Sequence, residues 1–395
     1  MLLQIIASIL AGIFTGTLTG LIPGVHINLV GAFLVSSSSL YFFSVNPIYI
    51  TIFIVSMAIT HTFIDFIPSV FLGCPDTDTE LSILPGHELL KKGLGYEAIL
   101  LTAYGSLAAI FLLLIISFPS IKLLQKTSSF IPNLIPGLLI FISLFMISLE
   151  KNKFSAIKVF LLTGILGIYS LDYSGIKDPL LPMLSGLFGT SMIIISIKNK
   201  IKIPEQKITF PKITSLKPFF GALLASPLCS FLPGVGSGQA AIIGNSISNS
   251  NKKDFLILLG ATNTLVMGFS FIALYAVSKT RSGAAVAIQQ IMGTLSWKIL
   301  LLILITILIS GVISFYLTKH LARILSKEIS RINYSKLSIA TLCFIVIIVF
   351  LFSGIKGSIL LGISTILGIY CLSLPIKKTN MMGCLLLPSI IYYLF

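Results

Sequence analysis

The sequence predicts an all-α polytopic membrane protein with about 12–14 membrane segments, and three observations lead to this fold class. First, 56% of the 395 residues are hydrophobic, 10% are charged, and the mean hydropathy is +1.05; soluble domains carry roughly 25% charged residues. Second, the apolar residues form runs long enough to cross a bilayer. Third, basic residues concentrate in the short loops between the runs, where they orient a membrane protein. This placement excludes nucleic acid as the partner that the net charge of +15 would otherwise suggest.

The apolar runs define the expected helices in order. They lie near 2–20, 26–45, 47–72, 96–118, 130–148, 154–171, 180–197, 216–231, 237–250, 255–278, 299–318, 337–353, 357–374 and 380–395. Several have the length of about 20 residues that a membrane-spanning helix needs. The runs 216–231 and 237–250 are short and separated by a Pro-Gly pair, which favours a re-entrant hairpin over two complete spans.

The distribution of Lys and Arg predicts the orientation. Two loops, 198–217 and 319–336, carry most of the clustered basic residues and are expected in the cytoplasm. Counting helices outward from them places both termini and the loop 172–178 outside. The chain begins with an apolar segment that lacks a basic n-region and a cleavage site, so we expect no signal peptide and a multi-pass protein of the cell membrane.

Two halves of the chain repeat with opposite predicted orientation. We expect a first repeat at 1–197, a cytoplasmic linker at 198–213 and a second repeat at 214–395. A Pro-Gly break occurs in each half, and Thr60-His61-Thr62 is echoed by Thr262-Asn263-Thr264. Order, spacing and inverted charge together predict two inverted-topology repeats with broken or re-entrant helices, an arrangement typical of secondary transporters.

The two Pro-Gly breaks are the predicted substrate site. Inside lipid, a break in a helix is tolerated only where protein or a wet cavity surrounds it. The free N–H groups of the helix that follows favour an anion. The alternative is a pair of ordinary capped helix starts. The predicted substrate-binding residues of the breaks and their surroundings are Pro23, Gly24, His26, Asn28, Pro233, Gly234, Gly236, Ser237, Gly238, Gln239, Asn263 and Arg281.

His61 and Asp65 are the predicted ion-coupling residues. They are spaced i and i+4 and therefore share a helical face inside an apolar run. A carboxylate there is costly and indicates a proton path or a cation site, although a hydrogen-bonded pair that fixes the helix explains the pattern equally well. Because the breaks contain no Lys or Arg, a bound anion requires a co-transported cation, and we expect coupling to Na⁺ or H⁺. We expect no cofactor, and nothing supplies further metal ligands.

Gly12, Gly16 and Gly20 recur at four-residue spacing ahead of the first break. This stripe of small residues predicts the close approach of another helix rather than a ligand site.

Four stretches carry a resemblance to a known family. They are residues 16–24 (GTLTGLIPG), 85–93 (PGHELLKKG), 184–189 (LSGLFG) and 231–236 (FLPGVG). The chain resembles the large permease subunit of the tripartite tricarboxylate transporters, particularly its short archaeal-type members. The resemblance implies a twofold inverted repeat and the uptake of carboxylate anions driven by an ion gradient. It also implies a small membrane subunit and a soluble binding protein as partners.

The residues and the resemblance together predict a non-enzymatic secondary transporter for organic anions, with alternating access at a midplane site. An intramembrane hydrolase would need two catalytic aspartates or a nucleophile with a base, whereas Asp65 is the only acidic residue well inside a run. The main alternative is a translocase of a polyprenyl-phosphate lipid carrier, because such an anionic lipid also suits two helix-start anion sites. Membrane lipids surround either protein, and a homodimer is compatible with both.

Overall fold

The structure is a computed structural model of the chain, and it describes most of the residues. The described ranges are 2–22, 46–72, 79–127, 131–173, 175–176, 179–198, 204–213, 215–230, 236–280, 282–330 and 334–394. Within these ranges every regular element is a helix, which confirms the all-α fold class.

The described helices follow the predicted apolar runs closely, and the run predicted at 26–45 lies outside the described residues. They are α1 (Leu2–Leu21), α2 (Pro47–Ile64), α3 (Phe66–Leu72), α4 (Ile83–Lys91), α5 (Gly95–Thr127), α6 (Ile131–Ser148), α7 (Lys153–Asp172), α8 (Leu180–Leu184), α9 (Ser191–Lys198), α10 (Lys217–Cys229), α11 (Ser237–Ser248), α12 (Lys252–Val277), α13 (Gly283–Met292), α14 (Trp297–Glu328), α15 (Tyr334–Ser373) and α16 (Gly383–Leu394). Short 3₁₀ helices precede α4 and α16, at Glu80–Ser82 and Lys378–Met382.

Seven of the described helical segments are long and apolar enough to cross a membrane, which supports a multi-pass membrane protein. They are Leu2–Leu21, Pro47–Leu72, Gly95–Thr127, Lys153–Asp172, Lys252–Val277, Trp297–Glu328 and Ser338–Ser373. The most apolar window of Pro47–Leu72 is 89% buried and that of Lys252–Val277 is 94% buried. The continuous helix α2–α3 and helix α12 therefore form the centre of the molecule.

Glycines allow the central helices to touch backbone to backbone. A Cβ at Gly105 of α5 would collide with the Ile257 carbonyl of α12, and one at Gly260 of α12 would collide with the Thr102 carbonyl of α5. The hydroxyl of Ser106 donates to the Gly260 carbonyl at 3.0 Å across the same crossing. The two halves of the chain therefore interlock at the core.

The predicted glycine stripe of α1 packs against α2, as expected. A Cβ at Gly12 would lie 2.6 Å from the Phe53 carbonyl oxygen, and one at Gly16 would lie 2.5 Å from that of Met57. Gly20 continues the contact one turn further along. The packing role predicted for these glycines is confirmed.

A second group of helices surrounds α7, α15 and α16. Gly167 of α7 leaves room for the backbone of Cys384 in α16. A six-residue π-helical segment, Ser185–Thr190, joins α8 to α9, and the Thr190 hydroxyl lies 2.5 Å from that of Thr365 in α15. Helix α15 breaks at Gly354, whose φ of +67° and ψ of −164° suit glycine, so α15 consists of the two separate runs expected from the sequence.

The described elements repeat in order and length. Helix α2–α3 and helix α12 both have 26 residues, α4 has 9 and α13 has 10, and α5 has 33 and α14 has 32. Thr62 and Thr264, which are 202 positions apart, meet at the centre. This repetition is what an internal duplication produces. The boundaries at 197 and 214 and the opposite orientation of the halves remain predictions.

Helices α10 and α11 form a short pair. They contain 13 and 12 residues, which span about 20 Å and 18 Å at 1.5 Å per residue, less than the roughly 30 Å of a bilayer core. They pack through Gly221 and Gly244, where a Cβ at Gly244 would lie 2.8 Å from the Gly221 carbonyl oxygen. This geometry agrees with a re-entrant hairpin, whose tip at 231–235 lies outside the described residues.

The described part of the linker, 204–213, is irregular and lies along the α4–α5 turn. The Lys207 N–H donates to the Gly93 carbonyl at 2.7 Å. The side-chain amide of Gln206 accepts from the Gly95 N–H at 2.8 Å and donates to the Leu90 carbonyl at 3.1 Å. These hydrogen bonds hold the linker against the first half of the chain.

Candidate functional site

The first candidate site lies where α2 and α12 cross. Asp65 occupies the single turn residue between α2 and α3 and is 3% exposed. The Asn263 amide of α12 donates to Asp65 Oδ2 at 2.8 Å and makes a long contact of 3.5 Å with the Thr62 carbonyl. A buried carboxylate from one half of the chain is thus held by an amide from the other half.

Hydroxyl groups extend this polar junction. Thr62 and Thr264 lie 3.1 Å apart at their hydroxyl oxygens, and the Ser314 hydroxyl of α14 donates to that of Thr60 at 2.8 Å. All four side chains are buried. The junction therefore offers several neutral oxygen atoms beside one carboxylate, inside helices that are otherwise apolar.

His61 and Asp65 lie one helical turn apart, as the sequence predicts, and the Asp65 N–H donates to the His61 carbonyl at 3.0 Å. Their side chains have different neighbours. His61 Nδ1 lies 3.1 Å from the Thr19 hydroxyl of α1, whereas Asp65 contacts α12 through Asn263. The structure brings Asp65 and Asn263 together. The substrate-binding role predicted for Asn263 stays a prediction.

The second candidate site is the start of α11. Gly236 is the N-cap residue, and its N–H donates to Gln239 Oε1 at 2.6 Å. Ser237 and Gly238 form the first turn, and both are buried. Gln239 is 1% exposed, and its Nε2 has no hydrogen-bond partner among the described residues. A buried amide donor at the start of a helix suits an anion.

Other predicted site residues lie outside the described part of the chain. They are Pro23, Gly24, His26 and Asn28 of the first break, Pro233 and Gly234 of the second, and Arg281. Their roles remain predictions. Among the described residues, no three His, Cys, Asp or Glu side chains converge on a metal position.

Ion pairs join the two halves at the end of α12 that is predicted to face the cytoplasm. Lys252 contacts Glu88 of α4 at 2.5 Å, and Lys253 contacts Glu97 of α5 at 2.6 Å. The hydrogen bond from Lys252 lowers the pKa of the Glu88 carboxyl below its usual value. The Thr209 hydroxyl of the linker adds a bond to Glu97 at 3.1 Å.

Sequence reasoning missed a pair of basic residues at this end. Among the described residues, His87 of α4 has an enclosed Nδ1 without a hydrogen-bond partner, and the Lys378 ammonium donates to the sulfur of Met192 at 3.3 Å. Burial lowers the pKa of His87 to about 4 and that of Lys378 to about 8. The sequence signal for His87 was present, because it belongs to the PGHELLKKG stretch at 85–93.

The fold and the buried polar junction define a multi-pass helical membrane protein with polar groups in its interior, a feature that membrane transporters share. Residues 6–383 match the tripartite tricarboxylate transporter TctA family. The chain belongs to that family. An uncharacterized protein of Methanocaldococcus jannaschii is 34% identical over 385 residues, covering 94% of each chain. No solved structure matches the chain.

Family membership confirms the resemblance seen in the four sequence stretches. It identifies the chain as a multi-pass component of the tricarboxylate transporter permease type, in a family of transporters rather than enzymes.

Proposed function

We propose that the protein is a secondary active transporter for organic anions such as di- and tricarboxylates, driven by a gradient of Na⁺ or H⁺. The observation that carries this proposal is the Asp65–Asn263 hydrogen bond of 2.8 Å, buried at the crossing of α2 and α12. Ionisable groups inside membrane helices are costly and usually serve ion or substrate pathways.

The junction has the chemistry of a coupling site. Asp65 provides a negative charge, and the Thr62 carbonyl and the Thr62 and Thr264 hydroxyls provide neutral oxygens nearby. Hard cations prefer oxygen ligands, and a proton on Asp65 would neutralise the carboxylate directly. His61, one turn away on the side of α1, extends the polar groups toward Thr19 and is the second candidate for a proton path.

The start of α11 has the chemistry of an anion site. The N–H groups of Ser237 and Gly238 are helix-start donors, and the Gln239 amide adds a buried donor. Helix-start dipoles contribute about 0.3–1 kcal/mol, and up to about 2 kcal/mol when partly buried. Desolvating an ion costs several kcal/mol. A multiply charged anion therefore requires a cation to travel with it, which links this site to the carboxylate junction.

We further propose alternating access about these two sites, with the α10–α11 pair as a re-entrant hairpin. The proposed partners are a small membrane subunit and a soluble binding protein, which the resemblance to the tripartite transporters implies.

A polyprenyl-phosphate translocase is the second candidate function, and one feature favours it. An apolar groove of about 380 Å³ runs between α5 and α10. Its lining includes Phe111, Ile115 and Phe220, whose side chains are exposed. A lipid tail in this groove would lie beside the α10–α11 pair, whose second helix begins at the proposed anion site.

Uptake into proteoliposomes distinguishes the two functions. We expect citrate or succinate to accumulate only when an inward Na⁺ or H⁺ gradient is imposed, and we expect no movement of a labelled polyprenyl phosphate between leaflets. Lipid movement without carboxylate uptake would establish the second function instead. Carboxylate uptake that ignores both gradients would contradict the coupling.

A further inference from the structure

A polar cavity lies at the end of α5 and α12 that is predicted to face the cytoplasm. It has a volume of about 390 Å³, and the linker contributes Phe210 and Lys212 to its lining. The other charged groups that line it are Glu97 of α5 and Lys253 and Asp254 of α12. The cavity therefore brings two ammonium groups and two carboxylates together at the predicted membrane surface.

Only one of the two ammonium groups is paired within the protein. Lys253 contacts Glu97 at 2.6 Å, and this ion pair joins α12 to α5. Lys212 makes no ion pair with a described residue. The residues that flank the described part of the linker, 199–203 and 214, include no acidic residue. Lys212 therefore lines the cavity as a positive charge that a ligand can contact.

Asp254 is the matching negative group. It is 8% exposed and lines the same cavity. Its Oδ2 accepts a hydrogen bond from the Asn251 amide at 2.8 Å, and it makes no ion pair with a described residue. Burying a charge costs free energy unless an opposite charge compensates. A ligand that carries both an anionic and a cationic group would compensate Lys212 and Asp254 together.

The apolar groove between α5 and α10 lies beyond this cavity on the same face of α5. Glu97 and Leu101 line the cavity, and the groove is lined by Ala108, Leu112 and Ile115 of the same helix. These positions recur at intervals of three, four or seven residues, so their side chains share one helical face. The polar cavity and the apolar groove are therefore consecutive along α5.

The separation of the cavity and the groove matches the dimensions of a phospholipid. Ala108 lies about 10 Å beyond Leu101 along α5, at 1.5 Å per residue. The headgroup region of a bilayer is about 5–8 Å thick on each side of the hydrocarbon core. Leu216 and Phe220 line the groove with exposed side chains, which an acyl chain would cover. A soluble zwitterion would leave this apolar surface without a partner, so the observations favour a lipid.

We propose that the cavity and the groove bind one phospholipid whose headgroup carries a primary amine, as in phosphatidylethanolamine. The Lys212 ammonium donates to the lipid phosphate, and the lipid amine donates to the Asp254 carboxylate. An acyl chain lies in the groove beside Phe111 and Phe220. The lipid thereby joins the linker to both halves of the chain. This binding does not depend on either transport function, because the site contains neither Asp65 nor the start of α11.

Titration of the detergent-purified protein with defined lipids, followed by thermal stabilisation, tests the headgroup. The probes are phosphatidylethanolamine, phosphatidylcholine and phosphatidylglycerol with identical acyl chains. Phosphatidylcholine has no N–H to donate, and phosphatidylglycerol has no amine. We expect phosphatidylethanolamine to bind about tenfold more tightly than either, because only its amine donates to a carboxylate. Glycerophosphoethanolamine, which has the headgroup without acyl chains, should give no stabilisation at the same concentrations.

Variants of the two charged residues locate the headgroup. Asp254→Asn retains an oxygen that accepts from Asn251, and it should abolish the preference for phosphatidylethanolamine over phosphatidylcholine. Lys212→Met should weaken binding of all three lipids by about threefold, as expected for an exposed ion pair. Lys207→Met is the matched control, because this exposed linker residue does not line the cavity and should bind the lipids as the wild type does.

Several results would overturn the proposal. Equal binding of the three lipids would show that the amine is not recognised. Tightest binding of phosphatidylglycerol would show that Lys212 and the exposed Lys217 of α10 only attract anionic lipids. Equal stabilisation by glycerophosphoethanolamine would show that the groove takes no part. An unchanged lipid preference in Asp254→Asn, or equal losses in the two lysine variants, would also contradict the site.

A measurement on the wild type covers the case in which the variants fail to fold. Phosphatidylethanolamine with a photoreactive group in the middle of one acyl chain should crosslink mainly to α5 and α10, near Phe111 and Phe220. An excess of unlabelled phosphatidylethanolamine should reduce these crosslinks more than phosphatidylcholine does. Crosslinks spread evenly over the exposed apolar helices, or equal competition by the two lipids, would contradict the proposal.

Discussion

At the scale of single residues, the proposed function depends most on the hydrogen bond between Asp65 and Asn263. The sequence predicted that Asp65 would be buried and would share a helix face with His61, because its run of apolar neighbours requires a membrane helix. It did not predict the bond to Asn263. That contact depends on how two helices about 200 residues apart cross, which no local pattern encodes. The weak echo of Thr60-His61-Thr62 in Thr262-Asn263-Thr264 was the one usable signal.

Burial of His87 predicts a pH dependence of the free energy of unfolding. In the unfolded chain it takes up a proton below about pH 6.5, whereas in the fold its pKa is about 4. The unfolded state therefore binds more protons between these values, and the free energy of unfolding falls as the pH drops through this window. The slope contributed by His87 is at most about 1.4 kcal/mol per pH unit.

We expect His87→Gln, whose amide can keep the bond to the Val70 backbone, to lose this contribution. Denaturant unfolding of the wild type and the variant across this pH range measures it, with the difference between the two proteins isolating His87 from the acidic residues. Parallel pH profiles for the two proteins would show that His87 is not held neutral by the fold.

At the scale of elements, the sequence predicted most helices but not their interruptions. Long apolar runs located the helices, since only helices satisfy the backbone in lipid. The short helices α4 and α13 were missed because each has only 9 or 10 residues, too few for a membrane span. The π-helical segment at Ser185–Thr190 was also missed, because it depends on packing against α15 rather than on local composition.

The close contact between α5 and α12 at Gly105 gives a testable prediction about protein stability. Gly105→Ala should destabilise the protein by about 1–3 kcal/mol, because the new methyl group meets the Ile257 carbonyl and forces α5 from α12. Gly362→Ala is the matched control: a Cβ there meets nothing within 4 Å inside α15, so the change should be neutral or stabilising by up to about 1 kcal/mol. Unfolding temperatures in one detergent compare the two. Equal effects would show that the α5–α12 contact is not close.

At the scale of the whole molecule, the repetition of helix order and length supports a duplicated architecture with its symmetry-related helices at the centre. The sequence indicated the duplication through the two Pro-Gly breaks. Because both breaks lie outside the described residues, the inverted orientation rests on the distribution of Lys and Arg and remains a prediction.

Labelling of single cysteines tests that orientation. In a background without native cysteines, Gly175→Cys in the loop 172–178 should react with an impermeant maleimide added to intact cells, whereas Lys207→Cys in the linker should react only after permeabilisation. Labelling of Lys207→Cys in sealed cells would reverse the predicted topology.

The most direct test of the central claim is uphill accumulation by proteoliposomes containing the Asp65→Asn variant. The substituted amide can still accept from Asn263, so the fold should remain, while the charge that would bind a cation or proton is lost. Ser106→Ala, which removes a buried hydrogen bond at the neighbouring α5–α12 crossing, is the control. We predict that Asp65→Asn exchanges carboxylate across the membrane but no longer accumulates it under an imposed Na⁺ or H⁺ gradient, whereas wild type and Ser106→Ala do. Normal gradient-driven accumulation by Asp65→Asn would contradict the account.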